Sequence, residues 1–190
     1  MSAVHAGNRW SRDRPATAGV VVNFVAFQIG WFACVLGAAR GLPWAGTAVA
    51  AAIVGAHVAR AARPLAELKL IGIALLIGVM WDSLLLTLGW LGFASGVVID
   101  GVAPPWILAL WALFAMTLNG SLGWLKKRLG VAALLGAAAG PLAYWGGAKL
   151  GAVVLVAPVP ALIALAVGWA VFTPLLALLA RRYDGASKAD

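Results

Sequence analysis

The sequence has few of the side chains from which soluble catalytic sites are built. Among 190 residues there are one cysteine, two histidines and six acidic residues. Cys34, being alone, excludes an internal disulfide and a cysteine-based metal cluster. His5 lies in the N-terminal region and His57 near the end of an apolar segment, with no second histidine at zinc-ligand spacing. We therefore expect no metal site and no cofactor.

Motifs of common hydrolases and nucleotide-binding proteins are also missing. No serine stands in a GxSxG turn, and no glycine-rich loop carries a lysine placed to hold phosphate. Serine hydrolase, zinc protease and NTPase activities are accordingly poor interpretations of this chain.

Charge is scarce as well, since 11% of the residues are charged and 64% are hydrophobic. A typical soluble domain has roughly a quarter charged and half apolar residues. The excess apolar residues form long runs, such as residues 20–39 and 70–93, rather than short alternating or striped patterns. The composition predicts an all-α integral membrane protein and excludes a soluble core.

Six apolar segments are each close to the roughly 20 residues that cross the hydrocarbon of a bilayer. The segments are residues 17–38, 43–59, 68–92, 105–124, 130–147 and 158–180. Because the connections are short, consecutive helices should be antiparallel neighbours in one domain. We predict a basic tail over 1–16, a single six-helix membrane domain over 17–180 and a short tail over 181–190.

The net charge of +8 does not indicate nucleic acid binding, because the cations stand at the ends of apolar runs. Lysine and arginine resist translocation, so their distribution orients the helices. Twelve of them fall on one predicted side and two on the other, which places both termini in the cytoplasm of a bacterial inner membrane. The twelve are Arg9, Arg12, Arg14, Arg60, Arg63, Lys69, Lys126, Lys127, Arg128, Arg181, Arg182 and Lys188, and the two are Arg40 and Lys149.

One acidic residue, Asp82, lies deep in an apolar segment. A charged aspartate at the centre of a membrane helix costs about 2.5–3.5 kcal/mol on insertion scales. It should therefore face the interior of the bundle, find partners or stay protonated. Asp82 is the leading candidate for a ligand, proton or catalytic role, and the competing interpretation is a carboxyl group that only fastens two helices together.

Depth along each helix suggests which side chains meet Asp82. A rise of about 1.5 Å per residue puts Gln28, Asp82, Trp111 and Tyr144 in one layer near the middle of the hydrocarbon. Trp31 follows Gln28 by three positions and shares its helix face. The hypothesis gives Asp82 and Tyr144 catalytic roles, while Gln28 orients a substrate between the walls formed by Trp31 and Trp111.

A second polar layer lies nearer the cytoplasm by the same arithmetic. It contains Asn23 and Asn119, which we include among the candidate substrate-binding residues. In the fifth segment, Gly136, Gly140 and Tyr144 recur every four residues, a spacing that favours close helix packing and turns the tyrosine into the bundle.

Several segments resemble one family. They are NFVAFQIGWFACV at 23–35, WDS at 81–83, PPWILALWALFAMTLNGSL at 104–122 and GPLAY at 140–144. They look like the uncharacterised proteobacterial inner-membrane family known as domain of unknown function 2878. That family has no established activity. Its members are often encoded near genes for fatty-acid modification and for oxidative or envelope stress, so the resemblance implies a function connected with lipids.

Three functions remain open at this stage. In the first, the bundle binds or modifies a lipid or another amphipathic molecule in a pocket around Asp82. In the second, the chain is a small proton-coupled carrier with Asp82 as the protonation site. In the third, it is a noncatalytic membrane scaffold for a lipid-modifying enzyme. The bilayer is the expected partner in all three, and the identity of any protein partner stays open.

Overall fold

The computed structural model describes residues 17–186, and within them the chain is almost entirely helical. Its six α-helices are α1 Thr17–Ala39, α2 Pro43–Arg60, α3 Pro64–Thr87, α4 Pro105–Thr117, α5 Leu129–Lys149 and α6 Pro158–Arg182. A 3-10 helix covers Gly123–Lys127, and two strands, β1 Leu91–Phe93 and β2 Val153–Leu155, form a small sheet. The basic tail predicted over 1–16 and residues 187–190 of the predicted C-terminal tail lie outside the described residues.

The surface of these helices is apolar where a soluble protein would be polar. Along α6, Val159, Ile163, Val167 and Val171 recur every four residues, and each is more than half exposed. In the described part of the chain, α1, α3, α5 and α6 are long and apolar enough to cross a membrane. Exposed apolar stripes on several helices of this length are typical of a surface that faces acyl chains. The chain is therefore a multi-pass membrane protein.

The six-span arrangement is not confirmed, because α2 and α4 are not both long and apolar enough to count as membrane spans by themselves. Helix α2 is rich in alanine and ends with His57 and Arg60 in its last turn. Helix α4 has 13 residues, which corresponds to about 20 Å. The backbone beside both of its ends is irregular. Ala103 and Pro104 before the helix and Leu118 after it are buried, whereas Val98 and Ile99, further from the helix, are exposed.

Helix α4 ends at Thr117 and not at residue 124 as the apolar run predicts. The Asn119-Gly120 sequence makes a turn there, and Asn23 of α1 stabilises it. The Asn23 side-chain oxygen accepts hydrogen bonds from the backbone N–H and the hydroxyl of Ser121, at 2.9 and 2.7 Å. A Cβ at position 120 would overlap the Asn23 amide, so glycine is required at this turn.

The predicted helix over 68–92 is also interrupted, because α3 ends at Thr87. Gly89 has a φ of +67°, and the N–H of Trp90 bonds to the carbonyl of Leu85, a Schellman ending that turns the chain into β1. Gly151 ends α5 in the same way and leads into β2. The two strands then pair antiparallel, with Gly92 opposite Val154.

This sheet marks one end of the bundle, and most of the cations mark the other. The Ser95 hydroxyl bonds to the carbonyl of Ala38 at the end of α1, on the sheet side. At the opposite end, the N–H of Arg63 bonds to the carbonyl of Gly185, beyond α6. We call this second end the basic end. Among residues 17–186 it carries Arg60, Arg63, Lys69, Lys126, Lys127, Arg128, Arg181 and Arg182.

Helix α4 is the centre of the packing. It contacts α1, α2 and α3, while α5 packs along α6. Trp106, Trp111 and Leu113 of α4 are fully buried. The α5 and α6 backbones approach closely because Gly136 lies against the carbonyl oxygen of Trp169 and Gly140 lies against the Trp169 ring.

We expect Gly136→Ala to destabilise the bundle, because the added methyl group would overlap the Trp169 backbone, which moves less readily than a side chain. Overpacking of this kind lowers the free energy of unfolding by about 1–3 kcal/mol. Gly130→Ala in the same helix is the control, since nothing lies within 4 Å of its added methyl group. Reversible unfolding in mixed micelles measures both, and equal stability of the two variants would contradict the packing described.

Candidate binding site at Asp82

Asp82 of α3 faces the interior of the bundle and is completely buried. The indole N–H of Trp111, on α4, donates a hydrogen bond of 2.7 Å to its Oδ2. The hydroxyl of Tyr144, on α5, donates to its Oδ1. A single carboxyl group therefore joins three helices, and both of its oxygens have a partner, as the apolar surroundings require.

A small residue one turn before Asp82 creates the space for this arrangement. Gly78 lies against the five-membered ring of Trp111, and any Cβ there would overlap it. Gly78 and Asp82 are four positions apart and thus lie on the same face of α3. Because Gly78 has no side chain, there is room for the indole ring of Trp111, and the indole N–H can donate a hydrogen bond to Asp82.

Aromatic rings hold Trp111 from the other side. The Trp169 ring of α6 stacks on it, with centroids 4.6 Å apart and planes 16° from parallel. Phe172 meets it edge-on, with the centroids 5.9 Å apart, and Phe114 meets Trp169 in a similar T-shaped contact. Packing of this kind restricts the indole to one orientation, so that its N–H stays directed at Asp82.

A cavity of about 210 Å³ lies beside this centre. Trp111 and Tyr144, the two donors to Asp82, form part of its wall, whereas Asp82 itself does not reach it. The remaining wall is largely apolar and comes from α1, α4, α5, α6 and the turn after α4. Its residues are Phe27, Trp31, Ile107, Leu110, Phe114, Leu122, Leu135, Gly136, Ala139, Gly140, Ala143, Trp169 and Thr173.

From the exposure of its lining residues we infer that the cavity opens sideways between α1 and α5. Leu135, Ala139 and Ala143 recur every four residues on α5, line the cavity and are exposed. Phe27 and Trp31 of α1 face them across the opening and are half-buried. The outer surface of both helices is apolar, so the rim of this opening is apolar as well.

Two polar atoms in the cavity wall have no partner in the described part of the chain. They are the indole nitrogen of Trp169 and the hydroxyl of Thr173, both buried. A buried donor without a partner costs about 1–3 kcal/mol. A molecule that brings a hydrogen-bond acceptor into the cavity would recover part of that free energy.

Of the predicted site residues, the structure brings Asp82, Trp111 and Tyr144 together and places Trp31 in the cavity wall. It leaves out Gln28, which is half-buried, has no hydrogen bond within residues 17–186 and lies outside the cavity wall. Asn23 also lies outside the cavity wall, and its side chain forms hydrogen bonds at the turn after α4.

Asn119 belongs to a different buried centre, which the sequence interpretation missed. Its amide nitrogen donates to Glu67 Oε1 and to the carbonyl of Tyr183, both at 2.9 Å. The other oxygen of Glu67, which is fully buried, lies 3.2 Å from His57 Nε2, within ion-pair range although not aligned as a hydrogen bond. The sequence signal that could have indicated this centre is the pair of ionisable residues His57 and Glu67, which lie on either side of the short α2–α3 connection.

Comparison with known proteins identifies the family without adding a function. A family model described as "Protein of unknown function (DUF2878)" matches residues 20–175. No curated protein and no solved structure matches the chain significantly.

We expect a double-mutant cycle between Asp82→Asn and Tyr144→Phe to give a coupling energy of about 1–3 kcal/mol, because the two side chains share a buried hydrogen bond. Reversible unfolding in mixed micelles measures the free energy of unfolding of the wild type, the two single variants and the double variant. Gln28→Leu paired with Asp82→Asn is the control, and its effects should add. Additive effects for Asp82 and Tyr144 would show that the bond contributes nothing.

Proposed function

Since this chain belongs to the family of proteins of unknown function DUF2878, which supplies no activity to transfer, we propose its function from its own geometry. It is an inner-membrane protein of six crossings that takes part of an apolar or amphipathic molecule, such as a lipid, into the cavity beside Asp82. The observation that carries this proposal is the cavity itself, which is walled by the donors to Asp82 and open toward lipid.

The distribution of charge supports six crossings with both termini in the cytoplasm. Within residues 17–186, eight cations lie at the basic end, and Arg40 and Lys149 lie at the sheet end. Cationic loops remain on the cytoplasmic side of a bacterial inner membrane. Helix α2, of 18 residues, is about 27 Å long, and α4 is shielded from lipid by the helices around it, so both fit a crossing within the bundle.

The size of the cavity selects what enters it. Cavities of about 150 Å³ hold a benzene ring, and those for whole drug-sized ligands begin at about 300 Å³. The cavity of about 210 Å³ thus fits one segment of a longer molecule, while the rest lies in the opening between α1 and α5. Its apolar wall suits a hydrocarbon segment, and Trp169 and Thr173 suit a single acceptor such as an ester or carbonyl oxygen.

In this proposal Asp82 is a positioning residue. Both of its oxygens are engaged and neither reaches the cavity, so a bound molecule meets Tyr144 and Trp111 first. Asp82 fixes the orientation of these two side chains. Any acid or base chemistry on the ligand would pass through the Tyr144 hydroxyl, which is the titratable group in the wall.

One observation favours the alternative of a noncatalytic scaffold. Asp82 is fully satisfied within the protein, as a carboxyl group that only fastens helices would be. The binding function requires that a molecule enters the cavity, whereas the scaffold function does not.

A photoreactive palmitic acid with a mid-chain diazirine tests entry directly in nanodiscs. After irradiation, we expect adducts on Trp169 or Thr173, which line the cavity, and mass spectrometry of α6 peptides locates them. Thr173 is 1% exposed, so a chain in the surrounding bilayer does not reach it. Adducts on Val167 and Val171, which face outward, report ordinary lipid contact in the same peptides.

Ala139→Phe should abolish the cavity adducts, because the ring fills the space at the opening, and it should leave those on Val167 and Val171 unchanged. Ala138→Phe is the matched control, since Ala138 is exposed on the same helix but lies outside the wall. If wild-type protein is labelled only on its outward face, the cavity is not a binding site and the scaffold is favoured.

A further inference from the structure

A second cleft, separate from the Asp82 cavity, lies at the basic end. It has a volume of about 530 Å³ and is formed where the start of α3 meets the end of α6. Its wall contains three cations, Arg63, Lys69 and Arg182. The N–H of Arg63 bonds to the carbonyl of Gly185, so the two sides of the cleft are fastened to each other.

These three cations have no acidic partner within residues 17–186. Lys126, by contrast, pairs with Asp184 at 2.9 Å, and the guanidinium of Arg181 donates to the carbonyl of Lys126. The other acid close by, Glu67, lies behind the cleft and is already engaged by Asn119 and His57. The cleft therefore gathers three positive charges without a carboxylate among them.

The backbone at the start of α3 adds a hydrogen-bond donor, an N–H group that also carries partial positive charge. Helix α3 begins at Pro64, which has no N–H, and the N–H groups of Ala66 and Glu67 both bond to the carbonyl of Arg63. The N–H of Leu65 is left without a partner in the described chain, at the positive end of a 24-residue helix. Three side-chain charges and this N–H around one cleft match an anion with several acceptor oxygens.

We propose that Arg63, Lys69 and Arg182 bind the phosphate group of an anionic phosphate ester, most simply the headgroup of an anionic phospholipid in the adjacent leaflet. Leu65, which lines the cleft, is 73% exposed, and Leu68, one turn further, is exposed as well. Apolar side chains beside the cations suit a phosphate that continues into acyl chains. The site is independent of the Asp82 cavity, and neither requires the other.

The test compares two variants of equal net charge in the full chain. Arg63→Gln with Lys69→Gln and Arg182→Gln removes the cleft cations. Arg60→Gln with Lys127→Gln and Arg128→Gln removes three cations of the basic end that lie outside the cleft. Native mass spectrometry then measures how tightly each protein retains phosphatidylglycerol against phosphatidylcholine, and calorimetry with glycerol 3-phosphate tests a soluble phosphate ester.

We expect the cleft variant to lose about 10- to 100-fold in affinity for phosphatidylglycerol, since three charge-assisted contacts to one phosphate group are removed together. The control variant should stay within about threefold of wild type, because its three cations do not line one cleft and act on the lipid only through screened attraction at the surface. Binding of glycerol 3-phosphate that also depends on the cleft cations would identify a soluble ester as a ligand, and its absence would identify the lipid.

Equal losses in the two variants would show attraction to any cation of the basic end and would overturn the proposal, as would retention of both probes by the cleft variant. Lys69→Gln alone covers the case in which the triple variant does not fold, because Lys69 is exposed and has no bond to lose. That single change should weaken phosphatidylglycerol binding about fivefold, and an unchanged affinity in folded protein would contradict the site.

Discussion

The two hydrogen bonds that Asp82 accepts from other helices determine much of the surrounding structure. An acid in an apolar bundle must have both oxygens satisfied, and here Trp111 of α4 and Tyr144 of α5 supply the donors. For the indole to reach the acid, α3 needs a glycine at position 78. The same indole then stacks on Trp169 of α6. Four helices are thereby held around one carboxyl group, and three of them, α4, α5 and α6, form the cavity together with α1.

Polar interactions at the two ends complement this centre. At the basic end, Glu67 joins α3 to Asn119 and lies beside His57 of α2, and Asn23 ties α1 to the turn after α4. At the sheet end, β1 and β2 pair the segments that follow α3 and α5. The helices are thus fastened near both ends, and the cavity lies between these fastenings. A fixed frame with one lateral opening suits a protein that admits part of a lipid without a large rearrangement.

Sequence reasoning predicted the membrane class, the family and the inward orientation of Asp82, because hydrocarbon tolerates few unsatisfied polar atoms. Depth along the helices correctly grouped Asp82, Trp111 and Tyr144. Gln28 shares the predicted layer but makes no hydrogen bond to these residues, since depth gives a layer and not the rotation of a helix about its axis. The end of α4 was missed because the turn at Asn119-Gly120 depends on Asn23, a residue distant in sequence. The strands have three residues each, too few for a period-two pattern to be recognised.

The most direct test of the account is a distance between Asp82 and Trp111 in a bilayer. Solid-state NMR with ¹³C-labelled aspartate and ¹⁵N-labelled tryptophan detects a carboxyl carbon near an indole nitrogen, and Trp111→Phe assigns the signal. We predict a strong dipolar coupling between the two labels, which disappears in that variant. A coupling that is absent in the wild-type protein would mean that the carboxyl group points elsewhere, and the cavity wall described here would lose its support.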